Sequence, residues 1–148
     1  MEWKTIKNEA INDIKAFIAK AAAGGQEVYI GTDSLQSGRY TQFVTVVAIL
    51  TPGKGGRAAY CQERVPKIKS MRERLLKEVW KSVDFGLGIC DIVPGRLTVA
   101  IDANPEIRFA SSHYIHELVG LVVGQGFKVQ VKPESLAATH IADHVVRQ

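Results

Sequence analysis

Cysteine is scarce in this 148-residue sequence. The two cysteines, Cys61 and Cys90, belong to no Cys-x-x-Cys pair and have no histidine-rich segment beside them. Disulfide frameworks and zinc fingers need several such residues at short, regular spacings, so the sequence excludes both classes. We expect both side chains to be reduced thiols with structural roles.

Long hydrophobic runs are missing as well. The N-terminus, Met-Glu-Trp-Lys-Thr, has no basic region followed by an apolar stretch, and no apolar run approaches the roughly 20 residues of a transmembrane helix. We therefore expect a cytoplasmic protein with no membrane contact. The net charge of +4 favours a polyanionic partner only weakly, because many proteins with a similar surplus never bind nucleic acid.

The residues that are present predict one α/β domain that spans residues 1–148. The 46% of hydrophobic residues are enough to build a core without disulfides or structural metal. Within residues 1–25, apolar side chains recur at helical spacing ahead of Gly24-Gly25 and predict an extra N-terminal helix. These side chains are Ile6, Ala10, Ile14, Phe17, Ile18 and Ala21.

Three strands are predicted to follow this helix. Three segments are rich in apolar, aromatic or β-branched side chains: residues 27–33, 40–51 and 58–65. The turn-forming segments Ser37-Gly38 and 51–57 separate them. Because both connections are short, we expect an antiparallel meander.

Helices and strands alternate in the rest of the sequence. Helical periodicity at 71–83 and 115–122 alternates with strand patterns at 97–101 and 127–131, and Ser135 is the predicted N-cap of a last helix. Because the strands are joined by crossover helices, they should run parallel. The expected architecture is a five-stranded mixed sheet flanked by helices, with three antiparallel strands followed by two parallel ones.

Two carboxylates, Asp33 and Asp102, each close an apolar run. A single carboxylate after a strand is usually a turn former or a helix cap. If the first and fourth strands are parallel neighbours, however, both residues lie in the crevice where open α/β sheets bind ligands. Like charges gathered there need a compensating cation, and an oxygen-only cluster suits Mg²⁺ or Mn²⁺. Two such ions, roughly 3.5–4 Å apart, are able to clamp the attacking and leaving oxygens of phosphodiester cleavage.

The sequence resembles the ribonuclease H-like superfamily, and within it the YkuK-like bacterial branch of uncharacterised proteins. The resemblance covers nearly the whole chain from about Glu27 and is carried by Gly-Thr-Asp-Ser at 31–34 and Lys-Pro-Glu-Ser-Leu-Ala-Ala at 132–138. It implies a metal-dependent nuclease that uses two Mg²⁺ or Mn²⁺ ions on RNA or DNA. The catalytic and metal-binding carboxylates that it implies are Asp33, Glu73, Asp102 and Asp143.

The assignments of Glu73 and Asp143 each have a competing interpretation. Glu73 borders the apolar face of its predicted helix, and Glu78 borders the opposite side of that face. We prefer Glu73 as the ligand, because Arg74 one turn before Glu78 favours a surface ion pair for the latter. An acidic residue on a terminal helix, such as Asp143, is usually a solvated charge, and only the family pattern supports it.

Other groups of residues have both a functional and a structural interpretation. His140 and His144 flank Asp143 at a spacing of four residues, but no HExxH glutamate accompanies them, which disfavours zinc. His113 and His116 follow Asp102 and are either proton shuttles or packed and surface residues. Four basic residues would either steer a phosphate backbone or form an ordinary solvated face: Lys67, Lys69, Arg72 and Arg74.

The leading functional hypothesis is a divalent-metal-dependent nuclease with a nucleic-acid partner. Its main rival keeps the fold without turnover, as a nucleic-acid-binding or assembly module. The sequence departs from true ribonucleases H in its N-terminal extension, in the absence of a basic protrusion and in Ser34-Leu35-Gln36 after Asp33. A kinase-like activity ranks last, because it requires a second domain and glycine-rich phosphate loops. The oligomeric state is left open.

Overall fold

The structure is a computed structural model that describes residues 2–51, 53, 55–101 and 105–131. In the helix Pro105–Gly124, side chains are described from Tyr114 onward. In chain order, the elements are β1 (Trp3–Thr5), β2 (Ala10–Ile11), α1 (Ile14–Ala21), β3 (Glu27–Ser37), β4 (Tyr40–Thr51), β5 (Gly55–Pro66), α2 (Met71–Ile89), β6 (Leu97–Ile101), α3 (Pro105–Gly124) and β7 (Lys128–Val131). The predicted last helix after Ser135 lies outside the described residues.

A single mixed sheet organises these elements, in the order β2-β1-β5-β4-β3-β6-β7. Strands β3, β4 and β5 form an antiparallel meander, whereas β6 pairs parallel to β3 and β7 pairs parallel to β6. The predicted mixed sheet is therefore confirmed. The predicted number of five strands is wrong, because the described residues form seven.

The two unpredicted strands lie in the segment that was expected to be wholly helical. Strand β1 pairs antiparallel with β5 and places the buried Trp3 opposite Cys61, and β2 pairs with β1. A turn joins them at Asn8, which has a φ of 66° and accepts a hydrogen bond from the Tyr60 hydroxyl. Helix α1 begins only at Ile14, so the expectation of one helix within 1–25 is correct for its second half and wrong for its first.

The hairpin joining β3 and β4 has the predicted turn. The chain reverses at Gly38, whose φ of 60° lies in the left-handed region that glycine tolerates without a steric cost. Strand β3, however, does not end at Asp33 as expected. It runs four residues further to Ser37, paired with β4 throughout.

The three helices among the described residues pack on one face of the sheet and share one hydrophobic core. Its fully buried members come from all parts of the described chain: Ile18, Val28, Ile30, Val47, Val83, Ile89, Val99 and Val122. The side chains of β3 alternate between the two faces, and Ile30, Thr32 and Ser34 are those that face α2. Among the described helices, none has the length and apolar character needed to cross a membrane.

Candidate functional site

Asp33 lies where the parallel half of the sheet comes to an end. The last registered pair between β3 and β6 is Gly31 with Ala100, and Asp33 is two residues further along β3, opposite Val44 of β4. Its side chain is half-buried. Asp102 follows Ile101, the last residue of β6, directly in sequence, but Asp102 and Asp143 both lie outside the described residues.

Ser34 connects Asp33 to a second carboxylate, that of Glu78. Its backbone N–H donates a hydrogen bond of 2.8 Å to Asp33 Oδ1, and its hydroxyl donates one of 2.5 Å to Glu78 Oε2. Glu78 is only 6% exposed. A carboxylate at that depth needs polar partners to offset the loss of hydration, and the Ser34 hydroxyl supplies one. The structure thus joins a strand carboxylate and a helix carboxylate through one serine.

This contact belongs to a regular series between α2 and β3. Three residues of α2 face β3 at intervals of four positions, which gives a spacing of about 6 Å along the helix. The facing pairs are Glu78 with Ser34, Ser82 with Thr32, and Gly86 with Ile30. Alternate residues of a strand are roughly 6.6 Å apart, so the two spacings match over this length.

The central pair of that series is held by buried hydroxyl groups. Ser82 Oγ lies 2.7 Å from Thr32 Oγ1, and Thr32 Oγ1 lies 3.1 Å from Thr45 Oγ1 on the neighbouring strand β4. All three residues are buried. The polar series therefore extends across two strands, and it fixes the height at which Glu78 meets β3.

The structure separates Glu73 from Glu78. Glu73 is exposed in the first turn of α2, where its backbone N–H donates a 3.2 Å hydrogen bond to the Ser70 hydroxyl. Glu78 lies on the buried face of the helix. The expectation that Glu78 lies at the surface is therefore wrong, whereas the role expected of Glu73 stays a prediction.

Asp33 and Glu78 approach from opposite sides of the sheet. Because Thr32 and Ser34 both contact α2, the residue between them, Asp33, points to the other face. The registered pairing of β3 with β6 ends at Gly31. Among the described residues, no strand pairs with β3 on this side beyond that point.

The donor types fit a hard divalent cation, which prefers oxygen ligands over nitrogen and sulfur. Asp33, Glu78 and the Ser34 hydroxyl supply oxygen alone, beside the point where the registered pairing of β3 with β6 ends. Within the described part of the chain, no group of three or more histidine, cysteine, aspartate or glutamate residues converges. The other two carboxylates predicted for this site, Asp102 and Asp143, lie outside those residues.

The other predicted residues are exposed, paired elsewhere or outside the described part of the chain. His116 is exposed on α3. The side chain of His113, and the residues His140 and His144, are not among those described. Among the basic residues, Arg72 forms a 2.7 Å ion pair with Glu117 of α3. The segment between β5 and α2 contains two exposed lysines, Lys67 and Lys69.

Both cysteines are thiols, as expected from their spacing. Cys61 is buried in β5, opposite Trp3 of β1, and Cys90 is half-buried at the C-cap of α2. Burial raises the pKa of the Cys61 thiol to about 11, although Lys81 acts in the opposite direction. The Cys61 thiol is thus protonated at neutral pH and has a structural role.

Comparison with known proteins provides independent information about the chain. A family model described as ribonuclease H-like matches residues 9–147. The uncharacterised protein YkuK of Bacillus subtilis (strain 168) is 24% identical over 154 residues, which cover 94% of this chain and 90% of YkuK. The crystal structure of RNase H1 from the halophilic archaeon Halobacterium salinarum NRC-1 matches with 12% identity and a TM-score of 0.41, over 82% of this chain and 98% of the other. The residues matched by the family model include every carboxylate discussed above.

Proposed function

The chain belongs to the ribonuclease H-like family, and we propose that it is a divalent-metal-dependent nuclease that hydrolyses phosphodiester bonds of RNA or DNA. Family membership supports a nucleic-acid-related function, but a fold alone does not establish an activity. The observation that carries the proposal is the pair of carboxylates, Asp33 and Glu78, joined through Ser34 where the parallel pairing of the sheet ends.

The proposed ligands are Asp33, Asp102 and Asp143, together with one carboxylate from α2. Asp102 is included because it directly follows β6, the parallel neighbour of β3. For the helix carboxylate, family resemblance favours Glu73, whereas the contacts favour Glu78, which is buried and bonded to Ser34. We propose Glu78 for this role and retain Glu73 as the alternative to be tested.

Two Mg²⁺ or Mn²⁺ ions are the proposed cofactors, and their chemistry when bound is Lewis-acid stabilisation of the phosphate and activation of water. The residues of the chain supply negative charge and orientation. Asp33 and Glu78 offset the charge of the cations. The Ser34 hydroxyl holds one oxygen of Glu78 in place, as partners of metal ligands generally do. Ser34 is therefore a positioning residue.

The proposal is tested by incubating the purified protein with single-stranded, duplex and hybrid substrates, in Mg²⁺ or Mn²⁺ and in chelator. Cleavage should require metal and should be abolished in Asp33→Asn. Since replacing an outer partner of a ligand typically costs about 10- to 100-fold, Ser34→Ala should fall in that range and Glu78→Gln should lose more. Circular dichroism of each variant checks that the fold is retained.

The matched pair Glu73→Gln and Glu78→Gln identifies the helix ligand. Both substitutions remove one negative charge from the same helix and keep the shape of the side chain. A larger loss of cleavage in Glu73→Gln would reverse our assignment. If neither the wild-type protein nor Asp33→Asn cleaves any substrate at any metal concentration, and both bind nucleic acid equally, the nuclease proposal is wrong and a binding module remains.

A further inference from the structure

The end of the β3–β4–β5 meander carries exposed side chains on the same sheet face as Asp33. Residues paired across antiparallel strands share a face, and every second residue along a strand returns to it. Asp33 pairs with Val44, and the pair of Ser37 with Tyr40 lies four residues further along β3. Leu35, midway between them, therefore lies on that face too, and so does Tyr40.

Tyr40 and Arg64 form a solvent-accessible pair on this face. Gln42 of β4 is opposite Arg64 of β5, so Arg64 lies on the face of Tyr40 as well. The Arg64 guanidinium carbon is 5.3 Å from the centroid of the Tyr40 ring, which is within the range of a cation–π contact. Tyr40 is 46% exposed and Leu35 is 40% exposed. An aromatic ring with a cation beside it is thus open to solvent.

Two further cations lie at the same end of the meander. Arg39 and Lys67 are exposed, and the Lys67 backbone N–H donates a 2.9 Å hydrogen bond to the Arg39 carbonyl, which ties the two segments together. Within residues 35–42 and 62–69, the one acidic residue is Glu63, and it is ion-paired with Lys81 on the helical face. We call the resulting positive surface the meander tip, defined by Leu35, Arg39, Tyr40, Arg64 and Lys67.

We propose that the meander tip binds single-stranded nucleic acid and leads it to Asp33, an inference that rests on the proposed nuclease function. A base stacks on Tyr40, and phosphates contact the three cations, which is how single strands are held without sequence preference. A base within a duplex is already stacked on both sides, so an exposed ring favours unpaired strands. The four residues from Ser37 back to Asp33 span about 13 Å along the strand.

Binding is measured by fluorescence anisotropy in chelator, so that cleavage plays no part. The probes are a labelled oligouridylate of about 12 nucleotides, within the site size of single-strand binding folds, and an RNA duplex of equal length. Tyr40→Ala should weaken binding of the single strand roughly 5- to 100-fold. Tyr40→Phe keeps the ring and should stay close to wild type. Arg64→Gln should reduce the slope of log affinity against log salt by about 1.

Trp80→Ala is the matched control. Trp80 is 47% exposed, almost as Tyr40 is, but it lies on the solvent side of α2. Its removal should leave the affinity for oligouridylate unchanged. Equal losses in Trp80→Ala and Tyr40→Ala, unchanged affinity in Tyr40→Ala, no binding by the wild-type protein, or equal affinity for single strand and duplex would each overturn the inference.

The outcomes separate this inference from the nuclease proposal. Metal-dependent cleavage by a protein whose affinity is insensitive to Tyr40→Ala would overturn the role of the meander tip and leave the nuclease proposal standing. Conversely, Tyr40-dependent binding of the oligouridylate without cleavage at any metal concentration would support the tip and overturn the nuclease proposal.

Discussion

Two glycines of α2 provide a stability test of the close packing between this helix and the sheet. A Cβ atom at Gly86 would lie 3.3 Å from both Cε2 and Cζ of Phe127 and 3.5 Å from Cδ1 of Ile30. A Cβ atom at Gly88 would have no neighbour within 4 Å. Alanine is favoured over glycine in a helix interior by about 0.8–1.0 kcal/mol. Replacing either glycine with alanine therefore brings the gain in helix propensity, but only at Gly86 does the new methyl group also press on neighbouring side chains.

Gly88→Ala should raise the free energy of unfolding by about 0.5–1 kcal/mol, because only the helix propensity changes. Gly86→Ala has the same propensity gain, but the added methyl must displace the buried Phe127 ring by a few tenths of an ångström. Overpacking of a dense core costs typically 1–3 kcal/mol, so Gly86→Ala should be neutral to about 2 kcal/mol destabilised. The difference between the two variants is the quantity to measure.

Urea denaturation followed by circular dichroism measures both free energies under identical conditions. Equal stabilisation by the two substitutions would show that α2 has room to move at Gly86 and would refute the reasoning. Gly86→Val adds two further methyl groups at the same point. It should be less stable than Gly86→Ala, because Phe127 and Ile30 then have to move further.

Two other predictions follow from buried polar groups. Ser82→Ala should lower the free energy of unfolding by about 1 kcal/mol in urea denaturation, because Thr32 keeps its hydrogen bond to Thr45; a loss above about 3 kcal/mol would contradict this. For Cys61, whose pKa rises from 9.0 to about 11, the fold disfavours the thiolate. The resulting stability is fully present below pH 9 and is lost as the pH rises towards 11, by roughly 3 kcal/mol at most. Wild type and Cys61→Ala, unfolded in urea across that range, should therefore converge in stability, and parallel curves would exclude this effect.

The mixed sheet was predictable because local signals determine its connections. The turn at Ser37-Gly38 requires an antiparallel neighbour for β3, and helical periodicity between later strands requires parallel crossovers. Both inferences depend on residues close together in the sequence. The resulting neighbours, β4 and β6 on either side of β3, are those found in the structure.

The N-terminal segment was misassigned because its structure depends on a distant partner. Apolar spacing from Ile6 to Ala21 matches a helix, but the apolar residue that is buried at the start of the chain is Trp3, opposite Cys61 on the edge of β5. Ile6 itself is exposed. Pairing with a strand that lies more than 50 residues further along leaves no local periodic signal.

Glu78 illustrates the same limit for the candidate site. Its local neighbour Arg74 suggested a surface ion pair, whereas Glu78 is buried and accepts a hydrogen bond from Ser34, 44 residues away. One signal was nevertheless present. Glu78 and Ser82 fall on the same helical face as Leu75 and Val79, and polar residues within an apolar face need buried partners. Thr32 and Ser34 alternate with Gly31 and Asp33 and are such partners.

The register of β3 determines which of its polar residues faces α2. A slip of one residue would exchange Asp33 with Ser34 between the two faces of the sheet. It would leave Glu78 without the serine hydroxyl and would move Asp33 away from the face that carries Tyr40. Two features oppose the slip: the turn at Gly38 and the hydroxyl contacts of Thr32 with Ser82 and Thr45. The site and the meander tip therefore depend on one strand register, and the polar contacts that secure it lie beside the carboxylates.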